Sequence, residues 1–316
     1  MYLDFYQLRE YPFTLTSDLR FLYFSAGHKE AMSGLLYSLR ERKGVALLLG
    51  EPGMGKTTVL AAVLEMMAGK VSAQYLDSPL HATPREALAA ILSGFGVTAE
   101  DGGLSGLLAS LRQHLSACHD RGECALLVID EAQDLAPVVL EQVRLLTNLE
   151  SGGHKLLQII LSGQPELAAH LRTPQGRALQ QRIGVRCQLG GLSAPETQAY
   201  LGARLEHAGA PRPIFDLPAM QRVHHLARGV PRVINVIADH CLLAGFAAQA
   251  PRVGRALVDR VAVQLEMTAP AGTEAEAGPT PAAAAPAAAA GRLRPPALLR
   301  FASGCARWAG LTEGAE

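Results

Sequence analysis

No charge of either sign is in excess in this 316-residue chain, which carries 29 Lys and Arg against 29 Asp and Glu. The balance is also regional: 17 basic and 19 acidic side chains over residues 1–191, then 8 and 6 over 192–268. No global basic field advertises nucleic acid, so a DNA contact would need a local groove. Cysteines are few, odd in number and scattered (Cys118, Cys124, Cys187, Cys241, Cys305), with no CxxC spacing. That argues against a disulfide framework and for reduced thiols in a cytosolic chain. No run of 18 uncharged apolar residues is long enough to span a membrane. The opening MYLDFYQLREYPF lacks the basic and apolar regions of a signal peptide. The histidines form no ligand set. His224 and His225 are adjacent and diverge by about 100° on a helix, and His114 and His119 stand five apart.

What is present is a pair of motifs. Residues 50–58 read Gly50, Glu51, Pro52, Gly53, Met54, Gly55, Lys56, Thr57, Thr58, fitting G-x-x-x-x-G-K-[ST]. In that loop, glycines expose backbone N–H groups to phosphate oxygens. The apolar run Val45–Leu49 precedes it as a strand and TTVLAAVLEMMAG follows as a helix, whose N-terminus adds its own free N–H groups. Some 75 residues on, LLVI ends in Asp130 and Glu131. A buried strand ending in two carboxylates, paired with such a loop, is what a nucleoside triphosphate and Mg²⁺ require. Lys56 would contact the β- and γ-phosphates, Thr57 and Asp130 would hold the metal, and Glu131 would polarise the attacking water.

Apolar runs alternate with helical periodicity around these motifs. Strands are expected at 45–49, 71–76, 125–129, 156–161 and 185–189, and helices at 84–95, 104–118 and 138–149. Strands this apolar suit a parallel sheet covered on both faces. The fold class is therefore α/β, a parallel sheet sandwiched by helices with right-handed crossovers. After Gly191 the strand signal stops. Ser193-Ala-Pro-Glu196 is a capped helix start, and helices are expected near 195–208, 217–228, 231–247 and 253–267. We divide the chain into an α/β nucleotide-binding domain (1–191), a helical lid (192–268), an Ala/Pro linker (269–296) and a short tail (297–316). The linker composition cannot bury a core. On a tail helix, Leu298, Phe301, Cys305 and the lone Trp308 would share one face, as a docking or membrane-surface helix or simply a frayed, disordered end.

Further segments resemble the ExeA-type AAA+ ATPases, the general secretion pathway protein A group. The opening carries Phe5, Leu8, Pro12, Phe13, Thr16, Asp18, Arg20, Phe21, His28, Glu30 and Ala31 in that group's pattern. DEAQDL (130–135), LLTNLE (145–150), LLQIILSGQPEL (156–167), QRIGVRCQLGGLSAPET (181–197) and GVPRVINVIADHCLLA (229–244) continue it. The same core is similar to the transposition ATPases of the TniB and MuB type.

The resemblance implies a P-loop NTPase fold of the AAA+ kind and further site residues. Gln164 matches the sensor that reads the γ-phosphate, and Arg232 the second sensor, reaching the phosphates from the lid. Arg182 or Arg186 matches the arginine finger that enters a neighbouring subunit's site; we favour Arg182. His28 falls near the expected adenine pocket, where a capping or surface role is equally open. The implied protein binds ATP and Mg²⁺ and forms a homo-oligomer. It acts in the cytoplasm, at most peripherally at the inner membrane, with secretion or envelope-export partners. A DNA-binding transposition regulator and a nucleotide-gated scaffold with little turnover are the alternatives. Longer members of the group continue into a membrane helix and a peptidoglycan-binding part, and neither is expected in this chain.

Overall fold

Runs of β-branched and aliphatic residues become the central sheet, and their order in space decides where the motifs meet. In the computed structural model the described residues are 1–15, 19–21, 23–76, 83–98 and 103–267. Thr16 and Asp18 of the opening pattern, the linker and the tail lie outside them. In chain order the elements are α1 (Tyr2–Tyr6), α2 (Ala26–Arg40), β1 (Val45–Gly50), α3 (Lys56–Met66), β2 (Val71–Leu76), α4 (Pro84–Gly94), α5 (Gly103–Asp120) and β3 (Cys124–Ile129). Then come α6 (Pro137–Leu146), the strands β4 (Glu150–Ser151) and β5 (His154–Lys155), β6 (Leu157–Gly163), α7 (Pro165–Arg172), α8 (Arg177–Gln180) and β7 (Ile183–Leu189). The chain then turns helical, through α9 (Ala194–His207), α10 (Leu217–Ala227), α11 (Pro231–Ala247) and α12 (Arg255–Gln264).

The sheet runs β2-β3-β6-β1-β7, with every pairing parallel. β6 is buried along its whole length and β3 nearly so, which is why their sequences read as continuous apolar runs. The carboxyl ends of β3, β6 and β1 lie side by side. They deliver Asp130, Gln164 and the glycine loop to one edge, where ligands of open α/β sheets bind.

Two apolar clusters form. One packs Leu88, Leu111 and Leu115 of α4 and α5 against Leu127 and Ile159 of the sheet, all essentially inaccessible. At roughly 1.5–3 kcal/mol per buried side chain, it fixes the strands that carry the acidic residues. The other joins α9 to α12 through Leu201, Ile237 and Val258, and it also takes in Tyr2, Tyr6, Phe13 and Phe21 from the start of the chain. The opening segment thus belongs to the helical cluster, with Arg9 N–H donating to Ala208 O (2.7 Å) and Phe13 edge-on to Phe215.

Several boundaries shift by one to three residues from the sequence expectation, two of them for a visible reason. α6 stops at Leu146 rather than near 149, because the chain turns into the β4–β5 hairpin over Gly152 and Gly153, both at positive φ. Leu149 extends the apolar period because it packs on the sheet cluster without being helical. α12 starts at Arg255, since Val253 is buried in a parallel bridge to Phe215. The short α7, begun by Pro165, is absent from the sequence reading.

Candidate active site

The phosphate end is built from backbone. Gly53 and Gly55 sit at φ +78° and +91°, conformations that favour glycine. Space demands glycine too: a Cβ on Gly53 would lie 2.6 Å from the Arg232 Cβ, and one on Gly55 would lie 2.9 Å from His28 Nε2. α3 begins at Lys56 with no side-chain cap, so its first N–H groups face the loop mouth. Lys56 is buried, and its ammonium donates to Gly50 O (2.8 Å) and Glu51 O (3.4 Å). Met54 is buried beneath the loop.

The acidic end is polar and tightly bonded. Asp130 Oδ2 accepts from Thr57 Oγ1 (2.8 Å) and Tyr75 Oη (2.6 Å), and Oδ1 accepts from Glu131 N–H (3.0 Å). Burial alone would push this carboxyl up, but the donors outweigh it and hold it below the ordinary aspartate value. The fully buried Ser162 hydroxyl lies against the same carboxylate without closing a hydrogen bond of standard geometry. Ionised Asp130 and the Thr57 hydroxyl form a hard-oxygen pair of the kind Mg²⁺ takes, with room for water in an adjoining cavity of about 450 Å³.

Glu131 stands in a left-handed conformation at φ +49°. Its Oε2 accepts from Gln133 Nε2 (2.8 Å) and Gln164 Nε2 (3.3 Å), and Gln164 N–H donates to Gln133 Oε1 (3.0 Å). Gln164, which the family resemblance offers as a γ-phosphate sensor, thus lies against the Glu131 carboxylate. Gln133 is a residue that sequence reasoning missed, although it stood inside the quoted DEAQDL segment.

Between loop and helices lies a cavity of about 290 Å³ whose walls include Lys56, Thr57, Thr58, Glu131 and Arg232. The backbone N–H of Arg232, in the first turn of α11, donates to Gly53 O (3.3 Å), so the helical part rests on the loop itself. The far end is walled by Thr14, Phe21, Tyr200, Arg204 and Asn235. Arg204 is buried and has no carboxylate partner among the described residues. It donates to Pro12 O (2.6 Å), Thr14 O (3.5 Å) and Tyr200 Oη (2.9 Å), and its guanidinium lies over the Phe21 ring. No motif or spacing singles it out. Arg182 and Arg186 line neither cavity. Arg182 lies near Glu150 of the hairpin, and Arg186 donates weakly to Gln180 O (3.4 Å).

The comparisons with known proteins agree with this geometry. The family described as AAA domain matches residues 39–171. General secretion pathway protein A of Aeromonas hydrophila is 44% identical over 248 residues, which is 78% of this chain but 45% of that protein. The chain thus spans less than half the length of this relative. Among solved structures, Cdc6p of Pyrobaculum aerophilum superposes with a TM-score of 0.62 at 18% identity, covering 79% of this chain and 71% of that one. The RuvB Holliday junction branch migration motor of Thermotoga maritima does so with 0.54 at 17%, covering 81% and 74%. At such identities these two report the fold alone. No helix among the described residues is long and apolar enough to cross a membrane. By motif, sheet order and sequence relationship, the chain belongs to the AAA ATPases, in the group of general secretion pathway protein A.

Proposed function

We propose that the protein binds Mg-ATP in the cavity between the glycine loop and the helical part and hydrolyses it there. The observation that carries this reading is the convergence of Lys56, Thr57, Asp130, Glu131 and Gln164 at one sheet edge. Incoming phosphates would draw the Lys56 ammonium off the Gly50 and Glu51 carbonyls and take the loop N–H groups as donors. Thr57 and Asp130 would hold Mg²⁺, whose charge supplies electrostatic stabilisation of the phosphates. Glu131, its Oε2 already committed to Gln133 and Gln164, would use the free oxygen to orient and deprotonate water. Arg232 would add a cation from the helical side. Arg182, which lines neither cavity, fits a role in a neighbouring subunit's site and hence a homo-oligomer.

The test is calorimetric titration with Mg-ATP together with phosphate release. Lys56→Ala should abolish uptake, and Glu131→Gln should retain uptake and lose turnover. Full turnover in Glu131→Gln would refute its role. For the biological task we propose assembly or motor work in a secretion or envelope-export system, at the cytoplasmic side of the inner membrane. The relationship to general secretion pathway protein A supports this. Turnover indifferent to duplex DNA is the expected result. DNA stimulation with a steep salt dependence would replace that task with a DNA-bound regulatory one, and binding without turnover would leave a nucleotide-gated scaffold.

A further inference from the structure

We infer that His28 is a positioning residue for the phosphate loop and that it carries the position of the helical part to that loop. The inference rests on the nucleotide-site reading above and adds to it a contact that the motif does not contain. His28 is buried in the first turn of α2. Nε2 lies 3.0 Å from the carbonyl oxygen of Met54, in the middle of the glycine loop, and that carbonyl can only accept, so Nε2 carries the proton. Nδ1 then accepts from the Ser25 hydroxyl at 2.6 Å. Ser25 Oγ also caps α2 by accepting from His28 N–H. The ring is therefore fixed at both nitrogens and presses against the space beside Gly55.

The neighbouring residue links this turn to the helical part. Ala26 N–H donates to Glu196 Oε1 (3.0 Å), while Glu196 Oε2 accepts from Ser193 N–H (2.9 Å) in the capping box of α9. One carboxylate thus clamps the start of α9 to the start of α2, and the same turn of α2 clamps the loop. A shift of α9 on nucleotide binding would pull Ala26 and, through Ser25 and His28, Met54. Such a chain of short, directional contacts earns the word coupling only when a double-mutant cycle detects it.

The experiment measures affinities of the full chain for Mg-ATP and for Mg-tripolyphosphate, which has no base. His28→Ala should weaken both to the same degree, by about tenfold, the scale of one lost hydrogen bond. His28→Gln, whose amide can donate to Met54 O, should restore most of the loss. Glu196→Ala should weaken both ligands in the parent chain and add little in the His28→Ala background. Unchanged affinities in His28→Ala, or no rescue by glutamine, would overturn the positioning role. Additive effects of His28→Ala and Glu196→Ala would overturn the coupling. Should the alanine variant fail to fold, Ser25→Ala, which frees the ring without deleting it, carries the same expectation and the same refutation. A parent chain that takes up neither ligand would sink the nucleotide-site reading itself, a result distinct from any of these.

Discussion

The two ends of the cavity hold their shape by different chemistry. At the sheet end, strand termini deliver short-range motifs, and the contacts are backbone groups and carboxylates a few residues from their strands. At the helical end, contacts tie the opening segment to α9 and α11, at separations well beyond the 73 positions between Thr57 and Asp130. Arg204 reaches Pro12 across 192 positions, and Asn235 reaches Thr14 across 221. The first end is specified by local pattern and the second by tertiary docking of the opening segment onto α9 and α11. A single motif can therefore reveal where phosphates go while leaving the opposite wall unread.

The largest effect should come from the sheet end. Replacing Glu131 with Gln should lower phosphate release by about 10²- to 10⁴-fold, the range for loss of a general base, with Mg-ATP affinity within about threefold of the parent by calorimetry. Arg204→Ala serves as the contrast, since the same assay should find its effect in affinity rather than in turnover at saturation. If the two variants behaved alike, the division between a chemical end and a docking end would be wrong.

Next in size is the separation of the two apolar clusters. Leu127 in the sheet cluster and Ile237 in the helical cluster are both fully inaccessible. Each alanine substitution should destabilise by about 2–5 kcal/mol in denaturant unfolding. Because the clusters are distinct, the double variant should add to within about 0.5 kcal/mol. Strong non-additivity would mean that the clusters act as one core.

How much of this was legible in the sequence follows the same division. The strands β1, β3 and β6 announced themselves because both faces are covered, so they read as nearly unbroken apolar runs. The loop, Asp130 and Glu131 did so because their chemistry needs fixed spacing. Gln164 and Arg232 came from the family resemblance rather than from spacing, and the structure puts both at the site's edge. Arg204, Gln133 and Tyr75 were not legible. An arginine mid-helix looks solvated until its burial against Phe21 and two carbonyls is seen, and a tyrosine in a weak strand looks like packing until its hydroxyl is found on Asp130. The docking of Tyr2 and Tyr6 against α11 and of Phe13 against Phe215 was equally hidden, since hydrophobic periodicity marks a buried face but not its partner.

A smaller effect separates the two ends by ligand. Arg204 touches the opening segment but not the glycine loop. Arg204→Ala should weaken Mg-ATP by about tenfold, the scale of one or two lost hydrogen bonds, while Mg-tripolyphosphate affinity stays unchanged. Equal losses for both ligands would place Arg204 in general stability of the fold rather than in holding the part of ATP beyond its phosphates.

The smallest effects are in pH dependence, and the two ends differ in where they appear. Asp130 is held below its ordinary value of 3.8. Its contribution to stability is present above that value and is lost as pH falls from 3.8 through the depressed value. His28 is also lowered, from 6.5, because burial disfavours the charged ring more than the Met54 carbonyl and the Glu196 carboxylate favour it. Below pH 6.5 the unfolded chain takes up a proton that the folded ring resists, so stability falls as pH drops through that region and the penalty is absent above it. Thermal midpoints measured from pH 7.5 to 3 should therefore decline in two steps. His28→Gln should flatten the step that begins below pH 6.5, and Asp130→Asn should flatten only the step that begins below pH 3.8. Loss of the upper step in Asp130→Asn would mean that the acidic end and the His28 contact titrate as one unit, and the contrast between the two ends would not hold for protons.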